Sequence, residues 1–481
     1  MKENKNSKER IDEFIQIARG GKRKMNAKIP RLPELPPLKL DRKEIYPTSE
    51  KFGLSEPEFN EERAYADYLS EKAALRKYYE PFLENHSRVV KENTVEITDF
   101  KFRHETEEDK ADFSVALSGR GEWETVKIPH YFGPEGIWNA FYRTEININK
   151  EEGKYYHLDF QGVDYIGEVY VNGRLAGRQI GFFAPFSVNI TDYVVNGNNT
   201  VLVIAKNHLT TLGIYSPEGK RFLGDKIYAA TFLGFDEPEL GWHHCPAGAG
   251  IWGKVKLVTS GIHRIKDIYV RPDIDNSEIT VNTIVDSAFT GDNFFEGKCK
   301  IKYTLEGRNF KEVIFEDREG GALTPVTVSE NYLYDTFKLE SFKLWTPDTP
   351  YLYELTVTLT DMDGNILAEG QTHFGMRKFH MDENSTPKGA FYLNNERVVM
   401  RGTNEMGHLP RCVMEGNFDQ LIDDILIAKV ANLNFYRVTQ RPVHSEIYDY
   451  FDMLGMMCQS DFPLFSYMRY SILGDALKQV D

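Results

Sequence analysis

Cysteine is scarce in this chain of 481 residues, which contains Cys245, Cys299, Cys412 and Cys458 and no others. These four residues lie far apart, and no two of them have the CxxC or CxxxC spacing of a metal-binding or redox motif. So few cysteines in so long a chain cannot form the dense disulfide framework of a small secreted domain. The sequence therefore predicts neither a disulfide framework nor a zinc site.

Positive charge and long apolar runs are also lacking. The chain has 58 lysines and arginines against 73 aspartates and glutamates, so its formal net charge is −15. Because an acidic protein repels phosphate backbones and anionic lipids, we expect no nucleic-acid partner and no membrane partner. The polar N-terminus has no apolar signal region, and no run approaches the roughly 18 apolar residues of a membrane span. These absences favour a cytoplasmic protein.

Aromatic residues, in contrast, are abundant. They make up 13% of the chain and include 31 Phe and 26 Tyr. Flat rings suit both the cores of β-sandwiches and surfaces that stack on sugars, and we assign most of these rings to cores. A chain of 481 residues is too long for one hydrophobic core, so three or four domains are expected.

Residues 1–88 are interpreted as a helical and proline-rich arm. Apolar residues at helical spacing predict a first helix that ends at Gly20-Gly21, and a proline-rich stretch follows over 30–37. A second helix is predicted from Glu61 to Tyr79, before Pro81. The arm suggests no chemistry.

The next two regions have the alternating pattern of β-strands. Over 89–260, short strands such as Tyr155–Phe160 are separated by turn pairs such as Asn172-Gly173, which predicts an antiparallel jelly-roll sandwich. Over 261–380 the same pattern recurs on a smaller scale, with Leu355–Leu359 as a clear strand. The length of this second region fits one immunoglobulin-like sandwich.

Residues 381–481 change to alternating strands and helices. The predicted order is a strand at Arg397–Gly402, a helix capped by Asn417, a strand at Asn434–Val438, a helix that ends at Gly455, a strand at Met456–Gln459 and a helix over Leu473–Val480. Such alternation is typical of a parallel α/β fold, here the first three β/α units of a TIM barrel. Since Leu477–Asp481 still has the pattern of a helix interior, we expect the sequence to be part of a longer chain.

Several segments, taken in order, resemble a known family of enzymes. They are Gly136-Ile137-Trp138, Phe141-Tyr142-Arg143, Val169–Gly173, Pro185-Phe186, Ile190-Thr191, Gly250–Val255, Leu344–Pro347, Pro350–Tyr353, Phe374–Arg377 and Arg401–Asn404. This series is similar to glycoside hydrolase family 2, which includes β-galactosidases, β-glucuronidases and β-mannosidases. The resemblance implies a jelly roll, an immunoglobulin-like sandwich and a (β/α)8 barrel that holds the active site.

The predicted site residues follow the barrel strands, because active sites of such barrels lie at the C-terminal ends of the strands. The candidate substrate-binding residues are Asn404, His408, Arg437, Gln440, Asp461 and His244. The family often has histidine at the position of His408, whereas His244 lies in a loop where the family often has an acidic residue. Arg437 has two compatible interpretations, a substrate contact and an ion pair with Asp461. His444, at the start of a helix, is interpreted as a cap or surface residue.

Two departures from the family pattern leave the substrate undecided. The chain has Gln440 where many members have histidine, and Gln459-Ser460-Asp461 where many have Asp-Glu-Ala. The second departure removes a glutamate that coordinates magnesium in some relatives. It resembles the mannosidase branch, whereas the segment 401–410 resembles the galactosidase and glucuronidase branches.

The resemblance implies a retaining hydrolase of terminal β-linked sugars. This chemistry uses two carboxyl groups about 5–5.5 Å apart and no organic cofactor. In the family the two glutamates follow strands four and seven, so we expect both beyond Asp481, no catalytic residue within the chain, and no activity of the chain alone. A divalent metal is compatible with the family but not indicated.

Other interpretations remain open. A replacement catalytic pair among Glu405, Glu415 and Asp461 is disfavoured. The alternative function is a non-catalytic, lectin-like module, with Trp138, Phe182 and Phe183 as candidate sugar-binding rings. Because jelly rolls of the family mostly pack against the barrel, a core or interface position is favoured for these three rings. Family members also form homo-oligomers through their sandwich domains, and this sequence offers no separate sign of one.

Overall fold

The structure is a computed structural model, and it describes residues 61–84, 93–132, 137–208, 214–215, 221–222, 249–287, 299–320, 324–325, 330–384 and 388–461. The chain divides into two compact units, residues 1–65 and residues 66–481. The predicted first helix, the proline-rich stretch and the predicted helix over Leu473–Val480 lie outside the described residues.

The second predicted helix of the arm is present as α1, Glu61–Leu83. It continues through Pro81, so the prediction that it would end before this proline is wrong. Proline removes one backbone hydrogen bond but keeps a helical φ, and the packing of the last turn offsets this loss. Tyr79 is buried and donates a hydrogen bond to the carbonyl oxygen of Pro347, 2.7 Å away. The ammonium group of Lys429 lies 4.6 Å from the centroid of the Tyr79 ring.

The first sandwich is the predicted jelly roll. Its strands are β1 (Thr94–Glu96), β2 (Asp99–His104), β3 (Glu124–Lys127), β4 (His130–Phe132), β5 (Asn139–Ile148), β6 (Tyr155–Phe160), β7 (Val163–Asp164), β8 (Ile166–Val171), β9 (Arg174–Ile180), β10 (Phe186–Asn189), β11 (Gly197–Lys206), β12 (Ile214–Tyr215), β13 (Arg221–Phe222), β14 (Ala249–Ile251) and β15 (Val255–Ser260). Two sheets, in the orders β1-β15-β6-β10 and β3-β2-β5-β11-β8-β9, enclose the core. Smaller sheets are β4-β14-β7 and β12-β13.

Two short helices, α2 (Glu107–Ala111) and α3 (Ser114–Ser118), follow β2. Ala116 packs with Phe141 and Leu202 of the six-stranded sheet in a separate buried cluster. A buried ion pair between Arg103 and Asp109 anchors α2 to strand β2. The helices therefore cover part of the outer surface of this sheet.

The second sandwich has the predicted immunoglobulin-like form. Its strands are β16 (His263–Asp273), β17 (Glu278–Ser287), β18 (Cys299–Gly307), β19 (Val313–Glu319), β20 (Thr324–Pro325), β21 (Glu330–Lys338), β22 (Tyr353–Asp361) and β23 (Ile366–Phe374). The sheets β16-β17-β21-β20 and β19-β18-β22-β23 face each other across one core. Strand β22 is buried along most of its length because it lies inside its sheet.

A three-stranded antiparallel sheet follows the second sandwich: β24 (Phe379–Asp382), β25 (Ala390–Leu393) and β26 (Glu396–Val398). This sheet corrects the prediction of a buried barrel strand at Arg397–Gly402, because Arg397 is exposed and belongs to β26. Asn394 and Asn395 both have positive φ, at 52° and 67°, and form the tight turn between β25 and β26. Glu396–Val398 after this turn pair with Phe391–Leu393 and complete a hairpin.

The barrel portion is a parallel sheet with helices on one side. Its elements are β27 (Gly402–Glu405), α4 (His408–Met414), α5 (Phe418–Val430), β28 (Phe435–Val438), α6 (Ser445–Met453) and β29 (Met457–Ser460). The three strands pair in parallel in chain order. Asn417 caps α5 as predicted, since its side chain accepts a hydrogen bond from the backbone N–H of Gln420 at 3.2 Å. Jelly roll, immunoglobulin-like sandwich and barrel units thus follow one another as predicted.

None of the described helices is long and apolar enough to cross a membrane.

Candidate active site

The register of the parallel sheet places three polar side chains at one level. Asn404 pairs with Arg437, and Arg437 pairs with Gln459 on the next strand. Tyr436 and Val438, which alternate with Arg437, are buried in the cluster beneath the helices. Alternate residues of a strand point to opposite faces, so Asn404, Arg437 and Gln459 share the face turned away from the helices. In a β/α barrel this is the inner face, and these residues lie near its C-terminal rim.

Arg437 and Asp461 form the ion pair that the sequence had suggested. The Nη2 and Nε atoms of Arg437 donate to the two oxygens of Asp461 at 2.5 and 3.2 Å. The backbone N–H of Gln440 donates to the same carboxylate at 3.0 Å, and the amide of Gln459 does so at 3.2 Å. Burial raises the pKa of Asp461, but the bonds from Arg437 and Gln440 outweigh it, so its pKa lies below the ordinary value. Asp461 is therefore a carboxylate at neutral pH and cannot serve as a proton donor.

Gln440 occupies a strained position beside this pair. Its φ is +68°, in the left-handed region that residues other than glycine rarely adopt. Its side-chain oxygen is buried and has no hydrogen-bond partner among the described residues. Strained backbone and unsatisfied buried acceptors are both costly and concentrate at functional sites.

A second ion pair lies deeper and was not predicted. The Nη1 atom of Arg441 is 3.1 Å from the Oε2 atom of Glu405, and both side chains have an exposed fraction of 0%. The other oxygen of Glu405 accepts the backbone N–H of Gly407 at 2.5 Å. The pair therefore ties the turn after β27 to the segment after β28. No sequence periodicity links the two residues, and only the fold brings them together.

His408 and Asn404 are the exposed members of the predicted set. His408 is the first residue of α4, and 45% of its side-chain surface is exposed. Its Nδ1 atom lies 3.9 Å from Glu405, so the buried pair also borders this histidine. The structure thus brings Asn404, His408, Arg437, Gln440 and Asp461 to the same end of the sheet. The predicted residue His244 lies outside the described residues.

The acids that could have formed a catalytic pair have other roles. Glu405 is fully buried with Arg441, and Asp461 is held by Arg437. Glu415 is exposed at the C-terminal end of α4, as a solvated residue between two helices. These environments argue against a working acid and nucleophile among the three.

Three family models match successive parts of the chain. They are described as the glycosyl hydrolase 2 galactose-binding domain-like model over residues 137–230, glycosyl hydrolases family 2 over 263–377, and the glycosyl hydrolases family 2 TIM barrel domain over 386–478. All three describe one family, in the order of the observed domains. The chain belongs to glycoside hydrolase family 2.

Relatives within the family are distant. A β-galactosidase of Pseudoalteromonas haloplanktis is 26% identical over 334 residues, which cover 68% of this family 2 chain and 28% of the relative. A β-galactosidase of Thermoanaerobacter pseudethanolicus is 25% identical over 360 residues, 71% of this chain and 43% of the relative. The chain spans less than half the length of the curated relatives that it matches.

Solved structures share the fold. A β-glucuronidase of Ruminococcus gnavus in complex with D-glucuronic acid aligns with a TM-score of 0.59 and 18% identity, over 82% of this chain and 64% of that one. A β-D-mannosidase of Dictyoglomus thermophilum aligns with a TM-score of 0.58 and 20% identity, over 80% of this chain and 49% of that one.

His444 joins two domains of this family 2 chain. It stands at the N-cap position of α6 but makes no side-chain cap bond, and its side chain is 1% exposed, so the prediction of a cap or surface role is wrong. Its Nε2 atom lies 3.1 Å from the carbonyl oxygen of Trp252 at the end of the jelly roll. Burial lowers the pKa of His444, which favours the neutral ring. Nearby, Lys254 and Glu446 form an ion pair at 2.5 Å.

The same interface contains two of the three candidate sugar-binding rings. Phe182 and Phe183 are 1% and 4% exposed, and they pack with Trp252 in a buried cluster that also contacts Met414 of the barrel. Trp252 donates to the carbonyl oxygen of Phe182 at 2.7 Å. Trp138 is partly buried against the jelly-roll core. Phe182 and Phe183 therefore hold domains together, which confirms the favoured interpretation of these two rings as core or interface residues and contradicts the alternative of exposed sugar-binding rings.

Proposed function

We propose that this chain supplies the substrate-binding side of a retaining glycoside hydrolase that acts on terminal β-linked sugars. The observation that carries the proposal is the polar row Asn404, Arg437 and Gln459, with Asp461 fixed beside it at the C-terminal ends of the strands. These groups provide amide and guanidinium donors together with carboxylate and amide acceptors. Sugar hydroxyls require both kinds of partner.

Each candidate residue has a distinct proposed role. Arg437 holds Asp461 in its charged form, so the carboxylate accepts a hydrogen bond from a substrate hydroxyl. Asn404 at the end of β27 and His408 at the start of α4, which are both exposed, contact the sugar. Gln440 offers a buried acceptor oxygen. His244 belongs to this set through the family resemblance alone.

The bond-breaking groups are proposed to come from outside strands β27–β29. Retaining hydrolysis needs a protonated acid and an ionised nucleophile about 5–5.5 Å apart. Asp461 is ionised and paired with Arg437, so it cannot donate the proton, and Glu405 is fully buried with Arg441, so it cannot reach a sugar; the two therefore do not form such a pair. The residues of this chain would bind and orient the sugar while two further glutamates carry out the displacement. This division of roles requires no organic cofactor and predicts that the 481 residues alone are inactive.

The test compares the 481-residue chain with the protein expressed from the complete gene. Both are incubated with p-nitrophenyl β-D-galactoside, β-D-glucuronide and β-D-mannoside, the sugars named by the relatives. The product anomer is read by proton NMR. We expect the complete-gene protein to hydrolyse at least one substrate with retention, and the 481-residue chain to hydrolyse none.

Arg437→Met in the complete-gene protein tests the site itself. A hydrogen bond to a charged group contributes about 1.5–3 kcal/mol, so kcat/KM should fall roughly 10- to 150-fold. Arg397→Met, at an exposed arginine of β26, is the matched control and should leave kcat/KM unchanged. Absence of turnover by the complete-gene protein, or equal turnover by the 481-residue chain, would overturn the proposal.

A further inference from the structure

One sheet of the immunoglobulin-like sandwich has an unusual outward face. The register places Tyr269 of β16 opposite Asn282 of β17, and Asn282 opposite Tyr334 of β21. The residues that alternate with them, including Val281 and Leu333, are buried in the sandwich core. The three outward residues therefore form one line across three strands, which we call the tyrosine row. Its two rings are 58% and 60% exposed.

The row has the chemistry of a sugar-binding surface rather than of an apolar interface. The two tyrosine rings are separated by two strand spacings, about 9–10 Å, with an amide between them. The side-chain oxygen of Asn282 is buried and has no hydrogen-bond partner among the described residues. Flat rings with a polar tip suit ligands that have both an apolar face and hydroxyl groups.

The neighbouring rows on one side carry balanced charges. In the first of them, the hydroxyls of Thr280 and Thr336 are 3.1 Å apart, and Arg271 is exposed opposite Thr280. One row further, Lys338 and Glu278 form an ion pair at 2.7 Å, and Asp273 lies opposite Glu278. The two positive and two negative groups balance, so this surface suits an uncharged ligand better than a charged one.

A groove of about 860 Å³ begins beside the row and is lined by its Tyr269 and by Thr280 of the neighbouring row. The groove is also lined by Phe379, which is 50% exposed, and by Lys378, which pairs with Asp275 at 2.5 Å. The volume falls within the range of small-ligand sites, roughly 300–1,000 Å³. The row therefore continues into a concave site that has a second exposed ring.

We propose that the tyrosine row and the adjoining groove form a second carbohydrate-binding site, separate from the polar row at the strand ends of the barrel and selective for neutral oligosaccharides. Tyr269 and Tyr334 stack on sugar rings, and the side-chain amide of Asn282 between them hydrogen-bonds to a sugar hydroxyl. The choice of a carbohydrate as ligand rests on the proposed function, but binding here needs no catalytic residue. The site would hold a polymeric substrate near the enzyme without cleaving it.

The experiment is native affinity electrophoresis of the 481-residue chain in gels that contain galactan, galactomannan, xylan or mixed-linkage β-glucan. Polygalacturonate is the charged comparator. We expect at least one neutral polysaccharide to retard the chain, and polygalacturonate to leave it unretarded. The dissociation constant for an oligosaccharide of the retarding polymer is then measured by calorimetry.

Variants locate the site. Removing each ring should weaken binding by about tenfold, so Tyr269→Ala/Tyr334→Ala should raise Kd by about 100-fold. Tyr269→Phe/Tyr334→Phe keeps both rings and should bind within about twofold of the wild type. Tyr65→Ala removes an equally exposed tyrosine from α1 and should change nothing. Circular dichroism of each variant shows whether the fold is kept.

Three results would overturn the proposal. They are no retardation by any neutral polysaccharide, equal binding by the double alanine variant, and a self-association that depends on the two rings in the absence of sugar binding. The outcome is independent of turnover. Binding by the 481-residue chain together with an inactive complete-gene protein would keep this site and reject the proposed hydrolase, and the converse result would do the opposite.

Discussion

The buried pair of Glu405 and Arg441 allows the most demanding test of the barrel portion. Glu405→Ala leaves the guanidinium of Arg441 fully buried without its partner at 3.1 Å, and it removes the acceptor of the Gly407 N–H. Removing one member of a buried ion pair costs about 3–5 kcal/mol, because the remaining charge loses its compensation. The loss of stability should affect mainly the segments around β27 and β28, which the pair connects.

The assay is hydrogen exchange followed by mass spectrometry on peptides that cover 402–407 and 435–441. Exchange through local opening reports the free energy of that opening for each segment separately, which suits a chain of several domains. A loss of about 3–5 kcal/mol corresponds to exchange that is roughly two to four orders of magnitude faster. Glu107→Ala is the control: Glu107 forms an exposed ion pair with Lys110, so barrel peptides should be unaffected.

A double variant separates the contribution of the buried charges to stability from the contribution of packing. In Glu405→Leu/Arg441→Met both charges are replaced by apolar groups, and exchange should return most of the way to the wild-type rate, because a buried pair can be exchanged for apolar residues at little loss. The reasoning is refuted if Glu405→Ala exchanges like the wild type. It is also refuted if the double variant exchanges as fast as the single one.

Three further predictions concern single side chains. Burial lowers the pKa of Lys429 from 10.5 to about 8, so the unfolded state holds more protons between these values and this residue makes stability rise with pH there. Relative to Lys429→Met, the wild type should gain about 2 kcal/mol between pH 8 and about pH 9.5 in urea denaturation, and a parallel dependence in both proteins would contradict this assignment. Asn417→Ala should destabilise the first turn of α5 by about 1 kcal/mol, seen as faster exchange there, whereas unchanged exchange would show that the cap contributes nothing. Arg437→Met should raise the pKa of Asp461 toward its ordinary value, as measured by carboxyl NMR, and the acid-side loss of stability from this ion pair should disappear; an unmoved pKa would show that Arg437 does not hold it down.

Helices α5 and α6 of the barrel portion are predictable because their sequence carries local signals, whereas the short α4 is not predicted. Leu421, Ile422, Ile425 and Leu426 share one face of α5, and all four are buried. Likewise α6 buries Ile447 and Phe451, and Gly455, whose φ is +65°, follows its end. Helical period and glycine after the helix are read over a few residues, so no tertiary information is needed.

Two predictions fail because tertiary contacts override a local signal. Pro81 predicts a helix stop, yet α1 continues to Leu83 while Tyr79 and Phe82 pack on the barrel side. The position of His444 predicts a cap or surface residue, although the jelly roll covers it. In both cases the deciding contacts come from residues distant in sequence. The strand predicted at Arg397 instead belongs to a separate hairpin, which the local Asn394-Asn395 turn sets.

The family, the order of the domains and the ends of the second and third barrel strands, where Arg437 and Asp461 lie, can be predicted from the sequence alone. These depend on motifs, strand and helix periods and chain order, which are properties of short segments. Which polar groups meet depends on the tertiary structure: the pair of Glu405 with Arg441 and the tyrosine row are set by strand register and by turns between elements. Register and burial are properties of the whole packed chain, because a side chain gains or loses its partners only when other segments surround it.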